Sequence, residues 1–339
     1  GDYNVAVGFD AGSELTTGSE NILIGGKAGD ALTTASGNLA IGRASLTSDT
    51  LGSASTAIGF QTLQNQNFTS ATSTYNVAVG YQAGTAVTTG VQNTLIGSEA
   101  GDALTVGVRN VAVGYDSLSS DTQGSKSIAI GRSALATQNF TSATDAYNVA
   151  VGDYAGALIT TGTHNTLIGG LAGDAITTGV SNTAVGKDAL GATTTGGNNA
   201  ALGKNALISN TTGSYNTATG KGALTGNTTA SNNTGVGYSA LAANTTGTRN
   251  NAVGAISLDA NTTGSYNNAF GYNSLGANLT GAENVAIGDN ALALNTTGSN
   301  NTSLGTSSLA ANTTASNNTA VGYASLDANT TGASNAAHG

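Results

Sequence analysis

Side chains able to act as catalysts or metal ligands are few in this chain and lie far apart in sequence. Two histidines, His164 and His338, and no cysteine occur among its 339 residues. A Ser-His-Asp triad or a zinc site needs histidine or cysteine beside its partner groups, and the spacing of these residues does not suggest either. We therefore predict that the protein is not an enzyme, with no catalytic, cofactor-binding or metal-ligating residues and no cofactor.

Three carboxylates recur at equal intervals along the chain, each within a Gly-Asp-Ala sequence: Asp30, Asp102 and Asp174. Paired acid–base catalysis needs two carboxyl groups within about 10 Å of each other, and this spacing keeps the three apart. Residues 25–30 (Gly-Gly-Lys-Ala-Gly-Asp) are similar to calcium-binding nonapeptide repeats, but the nine-residue period is missing. We interpret the three aspartates as solvated turn residues.

The elements that carry these side chains follow one short period. A glycine closes an Asn-x-Ala-Val-Gly motif twenty times, from Gly8 to Gly339. Each step equals one 17-residue repeat, except for two longer steps, Gly59 to Gly80 and Gly131 to Gly152. A period kept over the whole chain is typical of a repeat array, in which each unit packs on its neighbours.

Each repeat is numbered here so that this glycine is position 5, as in residues 250–266 (Asn-Asn-Ala-Val-Gly-Ala-Ile-Ser-Leu-Asp-Ala-Asn-Thr-Thr-Gly-Ser-Tyr). β-Branched and small residues at positions 2 to 4 favour a short strand, and glycines at positions 5 and 15 favour tight bends. We predict an all-β fold: a parallel β-solenoid (β-roll or β-helix) with one 17-residue repeat per turn, about 20 turns and about 4.8 Å between turns.

The core is predicted from positions 9 and 12 of the repeat, which take turns in supplying one large apolar side chain. Position 9 is leucine in most turns and glycine in six, and position 12 is apolar only where position 9 is glycine, as in Gly101 with Leu104 against Leu118 with Asp121. Constant core volume explains this exchange. We further expect the valine or isoleucine of position 4, such as Val253, to point inward and the alanine of position 3 to point outward.

Asparagine occupies position 1 in nearly every turn and position 12 in the later turns, from Asn210 to Asn329. Stacked carboxamides can hydrogen-bond along the axis of a solenoid. We predict such a ladder at position 1. For position 12 the sequence leaves two interpretations open, a second ladder or a cap of the following turn.

The organisation changes along the chain. Residues 1–181 form a solenoid with 72-residue super-repeats and two four-residue insertions, near Phe68 and Phe140. Residues 182–339 form a regular solenoid of 17-residue repeats. We expect one continuous shaft that is a fragment of a longer chain. The sequence does not indicate whether the inserted segments bind a ligand.

Composition argues against several partners. The net charge is −9 and the nine basic residues are scattered singly along the sequence, which argues against nucleic acid as a partner. No apolar run is long enough to span a bilayer, and we expect no membrane partner.

The repeat, as in residues 233–241 (Asn-Thr-Gly-Val-Gly-Tyr-Ser-Ala-Leu) and 244–247 (Asn-Thr-Thr-Gly), resembles repeats of phage and large-virus tail fibres. It is also similar to the head repeats of YadA-type trimeric autotransporter adhesins, although its period is longer. The resemblance implies an extracellular structural shaft, on a virion or a cell surface, that presents a distal host-binding tip. It implies a homotrimer, contacts with other fibre or baseplate components, and a host cell-surface glycan or receptor bound through other domains.

Two alternatives to a tail fibre stay open. One is a bacterial surface adhesin of the trimeric autotransporter type. The other is an ice-binding β-solenoid, because threonines recur at positions 13 and 14, from Thr16 and Thr17 to Thr330 and Thr331. Adjacent residues of a strand point to opposite faces, so we expect only one exposed threonine rank instead of the two that a flat ice-binding face needs.

Overall fold

A computed structural model describes residues 1–339, which fold without helices. The chain divides into two compact units, Gly1–Gly170 and Leu171–Gly339. Each unit contains ten three-residue strands, one in every turn. The predicted all-β parallel β-solenoid, with one repeat per turn and about twenty turns, is confirmed. The boundary proposed between residues 181 and 182 follows a change of turn type and stays a prediction.

The first unit contains fourteen strands, four of which have only two residues and lie in the insertion turns and the turns before them. Their bounds are β1 Val5–Val7, β2 Ile22–Ile24, β3 Leu39–Ile41, β4 Gly52–Ser53, β5 Thr56–Ile58, β6 Thr72–Ser73, β7 Val77–Val79, β8 Thr94–Ile96, β9 Val111–Val113, β10 Gly124–Ser125, β11 Ile128–Ile130, β12 Thr144–Asp145, β13 Val149–Val151 and β14 Thr166–Ile168.

The second unit is regular and contains ten strands. Their bounds are β15 Thr183–Val185, β16 Ala200–Leu202, β17 Thr217–Thr219, β18 Thr234–Val236, β19 Asn251–Val253, β20 Asn268–Phe270, β21 Val285–Ile287, β22 Thr302–Leu304, β23 Thr319–Val321 and β24 Ala336–His338.

Strands of successive turns pair in parallel with no slip of register. Val5 pairs with Ile22, and Thr183 pairs with Ala200, so equal repeat positions lie over one another. The insertions are absorbed outside this ladder, because β5 pairs with β7 in the same register across the longer step. Each insertion instead adds a small parallel sheet, β4 with β6 and β10 with β12.

Sharp corners are made by residues in left-handed backbone conformations at positions 5, 7, 9 and 17 of the turn. The glycine at position 5 is the most constrained. At Gly254 φ is +137°, and a Cβ atom there would lie 2.3 Å from the carbonyl oxygen of Gly271 in the next turn. This close approach of two backbones explains why position 5 is always glycine.

The interior is lined by positions 1, 3, 8, 9, 12 and 15, and this corrects one sequence prediction. Position 3 is inside: Ala252 and Leu95 are fully buried. Position 4 is outside: Val253 is 36% exposed. The reason is parity, because alternate residues of a strand share a face and the buried asparagine of position 1 places position 3 inward. Our expectation of an outward alanine stripe was therefore wrong.

The exchange between positions 9 and 12 is confirmed. Leu104 and Leu118 are both fully buried, although one stands at position 12 and the other at position 9. The structure shows that position 3 also contributes to this exchange. Turns with glycine at position 9 occur in consecutive pairs, and the second turn of each pair has leucine at position 3. A Cβ atom on Gly84 or Gly101 would lie 2.6 or 2.8 Å from a δ-methyl carbon of Leu95. Leu95 therefore fills the space over both glycines.

Both asparagine columns form ladders inside the coil. At position 1, the backbone N–H of Asn267 donates to Asn250 Oδ1 (2.9 Å), and Asn267 Nδ2 donates to the carbonyl of Gly281 (2.8 Å). At position 12, Asn261 Nδ2 donates to Asn244 Oδ1 (2.9 Å) and also to the carbonyl of Gly264 in its own turn (3.0 Å). The second column is thus both a ladder and a cap, which satisfies buried backbone groups.

The insertion turns replace these ladders with a buried carboxylate. Asp49 Oδ1 accepts hydrogen bonds from the backbone N–H groups of Gly52 (3.0 Å) and Phe68 (3.1 Å). Its Oδ2 accepts from Gln66 Nε2 (2.6 Å), and Gln66 Oε1 accepts from Asn76 (2.8 Å). The second insertion repeats this network around Asp121, Gln138 and Phe140. The base of each inserted segment is therefore fixed in the core.

Candidate functional site

The largest chemical feature of the surface is the outward face of the three-residue strands, which we call the sheet face. It consists of the side chains at positions 2 and 4. In the first unit, 17 of these 20 side chains are valine, isoleucine or leucine, and the others are threonine. Ile24, Ile96 and Ile168 are each 37–40% exposed, and no residue at position 4 is buried. A strip of aliphatic side chains thus faces solvent along this unit.

The sheet face of the second unit is more polar. Its position 2 carries mostly threonine, asparagine and alanine, as in Thr234 and Asn251. Position 4 stays largely apolar, with Phe270, Ile287 and Leu304 each 40–44% exposed. The two units therefore differ in the apolar content of the same face.

Aromatic and charged residues border the sheet face on both sides. All nine lysines and arginines of the chain occupy position 6, 7 or 17, immediately beside the strand. Five of them lie over an aromatic ring of the following turn, at 4.7 to 5.8 Å from its centroid: Arg43 over Phe60, Lys126 over Tyr147, Arg132 over Tyr154, Lys221 over Tyr238 and Arg249 over Tyr266. Such cation–π contacts are weakly favourable at exposed sites.

This arrangement has the composition of a protein–protein interface. Interfaces commonly have an apolar centre and a polar rim, with tyrosine and arginine enriched. Monomeric soluble proteins rarely expose contiguous apolar patches larger than a few hundred Å². The sequence pattern predicted the strands but not this face, because the inward and outward sides were exchanged in the prediction.

One column of cations was also missed at the sequence level. Lys187, Lys204 and Lys221 stand at position 6 of three consecutive turns in the second unit. The backbone N–H of Asn205 donates to the carbonyl of Lys187 (3.1 Å), and that of Gly222 to the carbonyl of Lys204 (3.0 Å). Lysines that look scattered in sequence are therefore neighbours in space. The signal was their spacing of one repeat, which equals one turn.

The two threonine columns lie in bends, outside the strands. At position 13, the hydroxyl of Thr245 donates to the carbonyl of Thr262 in the next turn (2.9 Å), and both residues are half-buried. At position 14, Thr246 and Thr263 are exposed. Position 14 is thus the more exposed column, but position 13 also reaches the surface, and the single exposed rank stays a prediction.

The residues first considered for chemistry are not brought together. Asp30, Asp102 and Asp174 each stand at position 10 of their own turns. No group of three or more histidine, cysteine, aspartate or glutamate residues is arranged to hold a metal ion. His164 lies beside Tyr147, with ring centroids 5.4 Å apart, and His338 ends β24. The sheet face and its borders are the surface with a distinctive chemistry.

Comparison with known proteins gives no relative for this chain: no family model, curated protein or solved structure matches it. The structure also has no helix long and apolar enough to cross a bilayer.

The position-10 aspartates are partly desolvated. Burial raises the pKa of Asp102, an effect opposed by hydrogen bonds from its own backbone and Ala103 and reinforced by the charges of Glu99 and Asp116. Burial likewise raises the pKa of Asp30, Asp174 and Asp259. One carboxylate shifts in the other direction, since hydrogen bonding to Arg132 lowers the pKa of Asp153.

We expect Asp102→Asn to stabilise the protein at neutral pH. The folded state binds the Asp102 proton more tightly than the unfolded state does, because the pKa of Asp102 is raised above 3.8 in the folded protein. The unchanged protein therefore loses folding stability as the pH rises from 3.8 through the folded-state pKa. The advantage of the asparagine variant should therefore grow from pH 3 to pH 7, as measured by urea unfolding at each pH. Asp153→Asn is the control with the opposite expected effect. It should lower the free energy of unfolding at pH 7 and leave that free energy unchanged in acid. Equal pH profiles for both variants would contradict the assignment.

Proposed function

We propose that this chain is a structural shaft segment of an extracellular fibre, most specifically of a viral tail fibre that presents a host-binding tip on other domains. Two features support the proposal: the repeated coil and the exposed aliphatic sheet face of the first unit. The repeat resembles those of tail fibres in the motif of residues 233–241. The role of such a segment is mechanical, because stacked turns supply length and stiffness.

The observation that carries the proposal is the exposed aliphatic sheet face of the first unit. We infer that it packs against copies of the same chain in a homotrimer. Ten strands at about 4.8 Å and a width of about seven residues, from position 17 to position 6, give a strip of about 45 by 20 Å. In a trimer each neighbour covers about half of this strip, so each pair of chains buries about 900 Å² in total, which is at the low end of specific interfaces.

Charges at the borders favour parallel packing of the copies. Glu20 and Lys27 flank β2 on opposite sides, and Arg109 and Asp116 flank β9 in the same way. Rotation of a copy about an axis along the stack brings its position-17 border beside the position-6 and position-7 border of its neighbour. Opposite charges then meet at β2 and β9, whereas at β11 Lys126 faces Arg132 of the neighbouring copy, so the border charges favour parallel packing at two of these three turns.

The mass of the protein in solution tests this function. Sedimentation velocity and native mass spectrometry of the chain should give three times its mass of 32.7 kDa. The assembly should persist in salt, because an aliphatic contact is not screened as surface charges are. A mass of one chain at micromolar concentration would contradict the shaft assembly, and a mass of two chains would contradict the trimer.

A further inference from the structure

The lysine column makes few structural contacts. Its three lysines lie in turns one repeat apart, at about 4.8 Å along the stack, and like charges at this distance repel each other. Equivalent positions elsewhere carry arginine in two turns, Arg43 and Arg132, and aromatic, small or acidic residues in the others, as at Tyr115 and Ser98. The fold therefore does not require a cation at this position.

The surroundings leave most of this charge unbalanced. Lys187 pairs with Asp188 (2.7 Å), and Lys221 lies over the ring of Tyr238 (5.8 Å). Lys204 makes no ion pair and no hydrogen bond through its side chain. No aspartate or glutamate occurs from residue 189 to residue 258. A chain with a net charge of −9 thus contains three consecutive turns, residues 199–249, that bear only positive charges.

Packing of the copies proposed above does not neutralise the column either. In parallel packing the neighbour presents position 17 of the same turns, which holds Ser181, Asn198 and Tyr215 and no carboxylate. In antiparallel packing position 6 would face position 6, and lysines would meet lysines. The column therefore stays exposed and positively charged in this packing, and is open to a different molecule that carries negative charge.

We propose that Lys187, Lys204 and Lys221 bind a linear acidic polysaccharide through its carboxylate or sulfate groups. A linear polyanion can lie along the stack and meet all three lysines, because they stand at one position of consecutive turns, about 4.8 Å apart. Tyr238 continues the column and is 56% exposed. Its ring offers an apolar surface against which a sugar ring can stack.

Nucleic acid fits the same column less well. Tight non-specific binding of duplex DNA uses on the order of six to ten phosphate contacts, and a column one residue wide offers three. The duplex carries one charge per about 1.7 Å of axis, so most of its phosphates would face a protein of net charge −9 without a cation.

The test uses the full chain with dextran sulfate and polygalacturonate as probes and neutral dextran as a blank, in titration calorimetry at several salt concentrations. Lys204→Gln with Lys221→Gln should weaken binding at least tenfold and lower the slope of log K against log salt by about 1.5–2, because two counterions fewer are released. Lys27→Gln, an isolated lysine of the first unit, is the matched control and should bind as the unchanged protein does.

A melting measurement separates binding from folding. The substitutions remove like-charge repulsion but also the contact of Lys221 with the Tyr238 ring. These effects oppose each other, so the double variant should melt close to the temperature of the unchanged protein while losing the polysaccharide. Unchanged affinity in the double variant would overturn the proposal, as would an equal loss with Lys27→Gln. Single-stranded DNA binding as tightly as the polysaccharides at equal salt would overturn the assignment of the ligand.

Discussion

Lysines placed at Val113 and Ile130 should convert the assembled protein into single chains. Both residues stand at position 4, in the neighbouring strands β9 and β11, and Ile130 is 37% exposed in the isolated chain. In the assembly each lysine would place an unpaired ammonium group in an aliphatic contact, and such burial costs several kcal/mol. We expect association to weaken by more than a hundredfold, as measured by sedimentation velocity across a concentration series.

The same charges on another side of the turn provide the control. Thr89→Lys with Val106→Lys occupies position 14 of two consecutive turns, where both residues are exposed. These lysines add equal charge away from the sheet face and should leave the mass of the assembly unchanged. Circular dichroism should show intact strands in both variants, because outward side chains do not fill the core. Equal masses for the two double variants would argue against the sheet face as the contact.

The second large effect is expected in the core, from Leu95→Ala. Leu95 is fully buried, and its methyl groups fill the space left by Gly84 and Gly101 in adjacent turns. Removal of three carbon atoms leaves a cavity that glycine backbones cannot close without breaking the ladder, so we expect a loss of about 3–5 kcal/mol in the free energy of unfolding. Guanidinium unfolding followed by circular dichroism measures this loss.

Leu158→Ala is the matched variant, because Leu158 is 51% exposed and off the sheet face. We expect it to change the unfolding free energy by less than about 1 kcal/mol, as for most surface substitutions. If Leu158→Ala lowered the free energy of unfolding as much as Leu95→Ala does, the loss could not be attributed to the space that Leu95 fills over the glycine pair. The damage from Leu95→Ala should stay with the adjacent turns, since repeat arrays are stabilised between nearest neighbours.

The period of the sequence was sufficient to predict the class of fold. Gly254 and its equivalents recur because two backbones approach closely at that corner, and this requirement acts in every turn. The exchange of Leu118 for Leu104 between columns was readable for the same reason, since core volume per turn is constant. Asn244 and Asn261 form a ladder because equal positions stack, which follows directly from a fixed repeat.

The glycine pairs show where prediction from a single turn stops. The sequence shows that Gly84 and Gly101 are paired with Val87 and Leu104 at position 12. It does not show that Leu95, from position 3, reaches both glycines. That contact joins two turns, and its geometry depends on backbone bends that are left-handed at position 9.

By itself, the sequence determined the length of the turn, the parallel register and the stacking of like residues, because these depend only on spacing. The tertiary structure decided which side of each strand faces water. A three-residue strand with apolar residues on both sides, such as Val111–Val113, has no preferred inner face of its own. The buried asparagine one residue before it sets that choice by making hydrogen bonds inside the coil. Because each repeat closes into one turn, lysines that stand 17 residues apart in sequence lie beside each other in the folded protein.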